Sequence, residues 1–265
     1  MDPRALDEVA GWLRNARQAV ALTGAGISTE SGIPDFRGPD GVWTRDPKAE
    51  ALSDIRVYVA DAQVRRRAWQ GRLNHPARDA APNAGHRALA ELERLGRLHA
   101  LITQNIDGLH LAAGSSAERT IEIHGTMRDY VCLDCGDRGP MSDALERVRG
   151  GDPEPACLAC GGILKSATIS FGQSLVPEDL ARAEEESAAS DLFLAVGTSL
   201  TVYPVAWLPE RALANGARLV IINAEPTPLD DRAHAVLRGQ IGEILPAIVS
   251  RVREPRREPL GTPDR

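Results

Sequence analysis

Four cysteines, arranged as two C-x-x-C pairs, constrain this 265-residue chain more than any other feature. Cys132 and Cys135 form the first pair, Cys157 and Cys160 form the second, and 21 residues separate the pairs. Two such pairs at this separation are typical of a tetrahedral Zn²⁺ site made of four thiolates, and less typical of disulfides. Because four sulfur ligands leave no open coordination position, we predict a structural zinc ion inside a small, metal-stabilised module.

The charge of the chain argues against a nucleic-acid or membrane partner. Its formal net charge is -6, so no broad basic field is available to hold phosphates or an anionic membrane. A zinc ribbon that binds nucleic acid is the alternative interpretation of the cysteines, and the acidic residues around them disfavour it. These are Asp134, Asp137, Asp143, Glu146, Asp152 and Glu154. The basic run at 65–67 is local, and we interpret it as a solvated helix face.

Neither a signal-peptide pattern nor a run of 18 apolar residues is present in the sequence. We therefore predict a cytoplasmic protein with no membrane partner. The sequence does not determine the oligomeric state, for which a monomer is our expectation.

Apolar segments that lack polar–apolar alternation follow one another along the chain, with helical patterns between them. The predicted strands are 19–23, 99–103, 120–123, 191–196 and 218–222, and the predicted helices are 6–17, 85–94, 205–215 and 242–253. Uninterrupted apolar strands joined by helices predict an α/β fold with a doubly wound parallel sheet. Such sheets bind ligands at the carboxyl ends of their strands. Gly24, Gln104, Gly197 and Asn223 follow four of the predicted strands and so mark the predicted ligand edge.

The Gly-Ala-Gly sequence at 24–26 follows the first predicted strand, like the start of a dinucleotide-binding fingerprint. Glycines allow the backbone to approach a pyrophosphate closely. The pattern departs from G-x-G-x-x-G at Thr29, and Gly32 and Pro34 interrupt any following helix. The sequence therefore disfavours an ordinary dehydrogenase.

Two further segments carry residues suited to chemistry. His124 lies between an apolar strand and Gly125, and its imidazole could act as a general base near neutral pH or could be structural. Asn105 and Asp107 follow a strand directly. They could bind a carboxamide, although a helix cap is the simpler interpretation of this pair.

Taken together, these segments resemble the sirtuin family. The matching pieces are GAGISTESGIPDFRG at 24–38, GVW at 41–43, TQNIDGLH at 103–110, HG at 124–125, the four cysteines, FG at 171–172, GTSLTVYP at 197–204 and INAEPT at 222–227. They occur in the family's order and cover roughly residues 20 to 245. The resemblance implies an NAD-dependent protein-lysine deacylase with NAD as cosubstrate, structural zinc and acyl-lysine proteins as substrates.

The resemblance also implies how the chain is divided. A Rossmann-like large domain would comprise residues 1–40, 81–127 and 166–253. A smaller zinc-binding domain would combine a module at 128–165 with a helical insertion at 41–80, and NAD would lie between the two domains. Residues 254–265 are predicted to be a disordered tail, because they are charged and contain proline.

Roles for individual residues follow from the same resemblance. The implied catalytic residues are His124, Asn105 and Asp107. The implied cofactor-binding residues are Gly24, Ala25, Gly26, Thr29, Asp35, Phe36, Arg37, Trp43, Gln104, Asn105, Asp107, Gly197, Thr198, Ser199, Asn223, Glu225 and Ile241. The implied substrate-binding residues are Phe171, Gly172 and Val202. Between these, the substrate peptide would lie extended and add as a strand through backbone hydrogen bonds.

The implied reaction is acyl transfer and not hydride transfer. The acyl oxygen of an acyl-lysine attacks the nicotinamide ribose, and nicotinamide leaves. His124 then acts as base on a ribose hydroxyl. The products are free lysine, nicotinamide and O-acyl-ADP-ribose.

The segment after the last cysteine departs from the family pattern. Thr168 and Ile169 stand where the family has an apolar pair, and Gln173 stands where it often has Glu. The resemblance implies that these positions belong to the acyl-lysine channel. Family members that favour succinyl or malonyl groups have a Tyr-x-x-Arg motif in the helical insertion, where this chain has Ala68 and Gly71. From these two residues we predict no strong preference for acidic acyl groups.

Two other functions remain open at this point. One is mono-ADP-ribosyl transfer from NAD to protein, which the changes at Thr168 and Gln173 leave possible. The other is a non-catalytic module that binds NAD and zinc. The presence of His124, Asn105 and Asp107 speaks against the second alternative.

Overall fold

Six parallel strands form the central sheet in the computed structural model, which describes residues 2–39, 41–45 and 53–254. The strands of the described residues are β1 (Ala19–Thr23), β2 (Ala100–Thr103), β3 (Thr120–Glu122), β4 (Gly125–Cys132), β5 (Arg138–Pro140), β6 (Leu164–Thr168), β7 (Leu192–Val196), β8 (Arg218–Ile222) and β9 (Ala235–Leu237). The large sheet has the order β3-β2-β1-β7-β8-β9, with every pair parallel. The predicted α/β fold with a doubly wound parallel sheet is confirmed.

Helices cover both faces of this sheet. The α-helices are α1 (Pro3–Asn15), α2 (Val42–Arg45), α3 (Ile55–Ala60), α4 (Ala62–Leu73), α5 (Ala84–Arg94), α6 (Leu109–Ala112), α7 (Met141–Arg149), α8 (Pro177–Ala189), α9 (Leu208–Ala214) and α10 (Ile241–Arg253). In β1, Ala19 and Ala21 pack in the core with α1, α5 and α10, whereas Val20 and Leu22 pack in the core with α8 and α9. Burial on both faces explains why the strands are apolar throughout.

Some element boundaries differ from the predicted ones for local reasons. The first helix begins earlier than predicted, because Asp2 caps it by accepting from the Arg4 N–H and Pro3 occupies its first turn. The predicted helix at 205–215 is a 3₁₀ turn (Val205–Trp207) followed by α9. Proline suits the first turn of an α-helix, where its missing N–H costs no bond, and Pro209 lies in the first turn of α9.

A second, antiparallel sheet of order β5-β4-β6 forms the smaller domain. The helical insertion packs against it, since Trp69 of α4 shares a core cluster with Met141 and Leu145 of α7. Arg65 and Glu154 add an ion pair of 2.6 Å between the insertion and this domain. The sheet runs from Gly125 to Thr168 and so extends beyond the predicted module at 128–165 on both sides. The division into domains stays a prediction.

Residue 40 of the predicted large domain, residues 46–52 of the predicted insertion and residues 255–265 of the predicted tail lie outside the described residues. Within the ranges that are described, no helix is long and apolar enough to cross a lipid bilayer.

Candidate active site

The loops after β1 and β7 meet at the centre of the large sheet, where the strand order reverses. The Gly24 N–H donates to the Val196 carbonyl (3.0 Å), and the Gly26 N–H donates to the Gly197 carbonyl (2.9 Å). A Cβ atom at Gly26 would lie 2.9 Å from Gly197 Cα, and one at Gly197 would lie 2.4 Å from Ile27 N. The backbone-to-backbone contact of the two loops therefore requires these glycines, in addition to any need to approach a ligand.

Gly197→Ala should destabilise the protein strongly, because Gly197 also has a φ of +62°. A left-handed conformation costs a non-glycine residue about 1–3 kcal/mol, and the clash with Ile27 N adds to that cost. Gly216→Ala is the matched control, since Gly216 has a φ of +88° but open space around its Cβ position. Chemical denaturation of both variants isolates the contribution of the loop contact. Equal losses of unfolding free energy would show that this contact contributes nothing.

A cavity of about 1800 Å³ runs along this edge of the sheet and into the space between the two sheets. A polar floor, two glycine loops and the walls of the smaller domain enclose it. The predicted cofactor and substrate residues that line it are Gly24, Ala25, Gly26, Thr29, Asp35, Phe36, Arg37, Gln104, Asn105, Asp107, Phe171, Gly172, Gly197, Thr198, Ser199, Val202, Asn223, Glu225 and Ile241. His124 lines it as well. The side chain of Trp43 lies outside the described residues, so its predicted role stays untested.

The protonation of His124 follows from the one described hydrogen bond of its side chain. Its Nδ1 lies 3.1 Å from the carbonyl oxygen of Gln104. A carbonyl oxygen can only accept, so Nδ1 carries the proton and Nε2 of the neutral ring is unprotonated. Burial lowers the pKa of His124, and the bond to Gln104 opposes this only in part. The arrangement gives a neutral imidazole that can take up a proton at Nε2.

Ser28 is the hub of a polar network under the cavity. Its hydroxyl donates to Oδ2 of Asp107 (2.7 Å) and accepts from Nδ2 of Asn105 (3.1 Å). The same Asn105 amide donates to the Gly24 carbonyl (3.1 Å). The other Asp107 oxygen, Oδ1, accepts from the Leu109 N–H at the start of α6 (2.9 Å). Asp107 thus holds the backbone at the start of α6 and also belongs to the site. Both amide protons of Asn105 are used for its own positioning.

Two buried histidines complete this network, and neither they nor Ser28 were assigned a role from the sequence. Because the Ser28 proton goes to Asp107, Nε2 of His86 must donate to Ser28 Oγ (3.3 Å). His110 lies against His86, with ring centroids 4.9 Å apart, and its Nε2 is 2.9 Å from Thr23 Oγ1. Burial lowers the pKa of His86 to about 4 and that of His110 to about 3. Both rings are therefore neutral supports of the cavity floor.

Three of the predicted cofactor residues also shape the loops that carry them. Nε2 of Gln104 donates to Oγ1 of Thr198 (2.8 Å), which ties the end of β2 to the loop after β7. Oδ1 of Asp35 accepts from the Gly38 N–H (2.9 Å). Nδ2 of Asn223 donates to the Glu225 carbonyl (2.8 Å). Each of these three residues therefore stabilises the loop that carries it, in addition to its predicted role in cofactor binding.

The backbone of Phe171 limits how a peptide strand could pair with the predicted segment 171–172. Its N–H donates to the Ser53 carbonyl (3.0 Å), and its carbonyl accepts from the Ile55 N–H (2.9 Å). Both backbone groups of Phe171 are therefore already paired within the chain. The described hydrogen bonds leave the backbone of Gly172 unused, so a peptide strand could pair with Gly172 but not with Phe171.

The four cysteines come together at one end of the smaller sheet. Their sulfur atoms all lie within 4.8 Å of one another, with 3.5 Å between those of Cys132 and Cys160 and 3.7 Å between those of Cys135 and Cys157. A disulfide would bring two sulfurs to about 2.05 Å. Tetrahedral thiolates at about 2.3 Å from a zinc ion would instead lie just under 4 Å apart. The cluster has the size of a four-thiolate zinc site.

A sequence profile of the Sir2 family matches residues 24–204, which is more than half of the chain. The chain belongs to the Sir2 family. The NAD-dependent protein deacetylase 2 of Streptomyces coelicolor is 53% identical over 228 residues, which cover 86% of this chain and 95% of that protein. The NAD-dependent protein deacetylase 1 of Pyrobaculum aerophilum is 44% identical over 251 residues, which cover 94% of this chain and 95% of that protein.

Solved Sir2 structures share the fold of this Sir2 chain. A Sir2 complex with a p53 peptide and NAD⁺ aligns with a TM-score of 0.82 at 34% identity and covers 92% of this chain and 96% of that one. A Sir2 variant with a deacetylated p53 peptide and 3'-O-acetyl ADP-ribose aligns with a TM-score of 0.85, also at 34% identity. It covers 92% of this chain and 97% of that one. The similarity thus extends over nearly the whole of both chains.

Proposed function

We propose that this Sir2 chain is an NAD-dependent protein-lysine deacetylase that releases nicotinamide and forms O-acyl-ADP-ribose. Relatives at 53% and 44% identity are NAD-dependent protein deacetylases. One structural neighbour holds a peptide and NAD⁺, and another holds a deacetylated peptide with an acetylated ADP-ribose. Proteins carrying acyl-lysine are accordingly the proposed substrates.

The observation that carries this proposal is the neutral His124 on the wall of the large cavity. With its Nδ1–H held by the Gln104 carbonyl, Nε2 can accept a proton from a hydroxyl bound beside it. No described residue needs to act as a nucleophile, since the acyl oxygen of the substrate does so. The proposed reaction therefore requires one general base at a fixed position in a partly buried site, and His124 meets this requirement.

The cavity also fits NAD as a cosubstrate. It lies at the switch point of a doubly wound sheet, where such folds bind nucleotides. Asn105 and Asp107 are held by Ser28 and can meet a carboxamide, because Oδ1 of Asn105 has no partner among the described hydrogen bonds. Bound NAD supplies an electrophilic ribose carbon and a nicotinamide leaving group. The role of the chain is to bind both substrates, exclude water and move one proton.

The four cysteines are the proposed ligands of a structural zinc ion, because their sulfur spacing matches a closed tetrahedral site. All four positions would be filled by sulfur, so this ion takes no part in the reaction. A cytoplasmic location, a monomeric state and the absence of nucleic-acid and membrane partners are proposals that rest on the sequence, including its net charge of -6. Cell fractionation and analytical ultracentrifugation would test the first two.

Mass spectrometry of an acetyl-lysine peptide incubated with the protein, with and without NAD, tests the function directly. We expect NAD-dependent loss of the acetyl group and formation of O-acetyl-ADP-ribose in equal amounts. Label from NAD that becomes fixed on protein, without any deacetylation, would instead favour ADP-ribosyl transfer.

The pH profile of deacetylation should report the shifted pKa of His124. Because burial lowers this pKa below the ordinary 6.5, the neutral base is present above the lowered value and is lost as the pH falls through it. We therefore expect the acidic limb of kcat/KM to have its midpoint below pH 6.5. A midpoint above that value would contradict the assignment of a buried, neutral base.

A further inference from the structure

A buried lysine and a half-buried arginine share one wall of the cavity without a carboxylate partner. Lys165 of β6 is 3% exposed, and Arg72 of α4 lies beside it; both line the cavity. Among the described residues, no aspartate or glutamate forms an ion pair with either of them. Arg72 donates to Ser166 Oγ (3.0 Å), and Lys165 donates to Gln173 Oε1 (3.1 Å) and to the Thr168 carbonyl. Their hydrogen-bond partners are all neutral.

Burying a charge without a counter-ion is costly, so unpaired cations in a cavity indicate an anion that arrives with a ligand. Burial and the nearby charge of Arg72 lower the pKa of Lys165 to about 8, which agrees with an unmatched positive charge. The rest of the wall is polar as well, since Ser166 and Thr168 are hydrogen-bonded to each other (2.9 Å).

A third donor lines the same cavity. Trp69 of α4 is 2% exposed, and its indole Nε1–H is buried without an acceptor among the described residues. A buried donor with no partner is rare in folded proteins and indicates a group supplied by a ligand. Three hydrogen-bond donors therefore line one cavity: the indole N–H of Trp69, the guanidinium of Arg72 and the ammonium of Lys165.

From this wall we infer that the enzyme prefers lysines whose acyl group ends in a carboxylate, such as succinyl or glutaryl, and that Arg72 and Lys165 bind this carboxylate. The inference rests on the proposed deacylase function and specifies its substrate class. It replaces the expectation drawn from Ala68 and Gly71. Those two residues do line the cavity and cannot bind an anion, but Arg72 follows Gly71 directly in α4.

Gln173 explains why the ligand has to supply the anion. Its Oε1 lies 3.1 Å from the ammonium of Lys165, so a glutamate at this position would neutralise Lys165 internally. With glutamine the ammonium receives a neutral acceptor and keeps its charge for a ligand. Gln173→Glu is therefore a nearly isosteric way to remove the preference.

The experiment compares kcat/KM for one peptide carrying succinyl-lysine, its terminal amide succinamoyl-lysine, or acetyl-lysine. The first two acyl groups match in size and differ in charge. The ratio of their kcat/KM values therefore isolates the contribution of the carboxylate charge. We expect the wild type to favour succinyl over succinamoyl by about tenfold or more, since hydrogen bonds between charged groups are stronger than those to a neutral amide. In Arg72→Gln and in Gln173→Glu this ratio should fall towards one. Arg67→Gln, an exposed arginine on the same helix, should keep the wild-type ratio.

The outcomes separate this inference from the function on which it rests. Turnover of acetyl and succinamoyl peptides without a preference for succinyl would overturn the inference and leave the deacylase function intact. A succinyl preference that survives in both variants would overturn the assignment to Arg72 and Lys165. Failure to turn over any acyl peptide with NAD would refute the proposed function and the inference with it.

Discussion

His124→Ala is expected to lower kcat/KM for NAD-dependent deacetylation by about 10²- to 10⁴-fold, which is the usual contribution of a positioned general base. The loss should come from chemistry and not from folding, because the His124 side chain makes only one described hydrogen bond, to the Gln104 carbonyl. Product formation measured by mass spectrometry gives the rate, and thermal unfolding shows whether the fold survives.

His99→Ala is the matched control for this variant. His99 lies outside the cavity lining, its side chain is 49% exposed, and its described ionic partner is Glu186. We expect unchanged deacetylation in this variant. If His124→Ala kept more than about a tenth of the wild-type rate, well above what loss of a general base allows, His124 would not be the base.

Loss of the proposed zinc ion should have the largest effect on folding. Binding of structural zinc to small thiolate sites contributes about 10–16 kcal/mol at neutral pH, and in such domains this is folding energy. Cys132→Ser, or chelation with the absence of metal verified by elemental analysis, should therefore unfold the smaller sheet and abolish activity. Hydrogen exchange should show lost protection at 125–168, while β1, β2, β7 and β8 remain protected.

Leu158→Ala is the control within the same cysteine loop, because Leu158 lies between Cys157 and Cys160 but is 83% exposed. This variant should bind zinc and deacetylate like the wild type. A metal-free protein that kept its protection at 125–168 would contradict the proposed structural role of zinc.

The parts of the fold that could be predicted are those in which burial alone determines the pattern of apolar residues. The strands β1, β2, β7 and β8 are buried on both faces, and their continuous apolar runs gave their positions to within one residue. The smaller sheet has mixed burial along β4, so its strands carry no such pattern. Helix α8 was missed for a similar reason, since only Ala183 and Ser187 of its residues are fully buried.

The candidate site also contains residues that the sequence predicts and residues that it does not. The motif residues gather because the carboxyl ends of parallel strands meet at one edge, which the sequence order already implied. Ser28 contacts His86, which is 58 positions away in the sequence, and Asp107, which is 79 positions away. No local sequence pattern predicts contacts between residues so far apart. Arg72 and Ser166 are 94 positions apart, so the wall that they share became visible only in the folded chain.

The strand order has a consequence for synthesis of the protein on the ribosome. β1 pairs with β7 between Ala19 and Leu192, and the whole smaller domain lies between these two positions in the sequence. At a translation rate of about 5–20 residues per second, roughly 10 to 35 s pass between the synthesis of β1 and that of its second partner strand, β7. During this time the smaller domain can already fold and bind the proposed zinc ion, while one edge of β1 stays unpaired. A nascent chain of this kind should depend on chaperones until β7 emerges, and translational pausing before residue 192 should increase its aggregation.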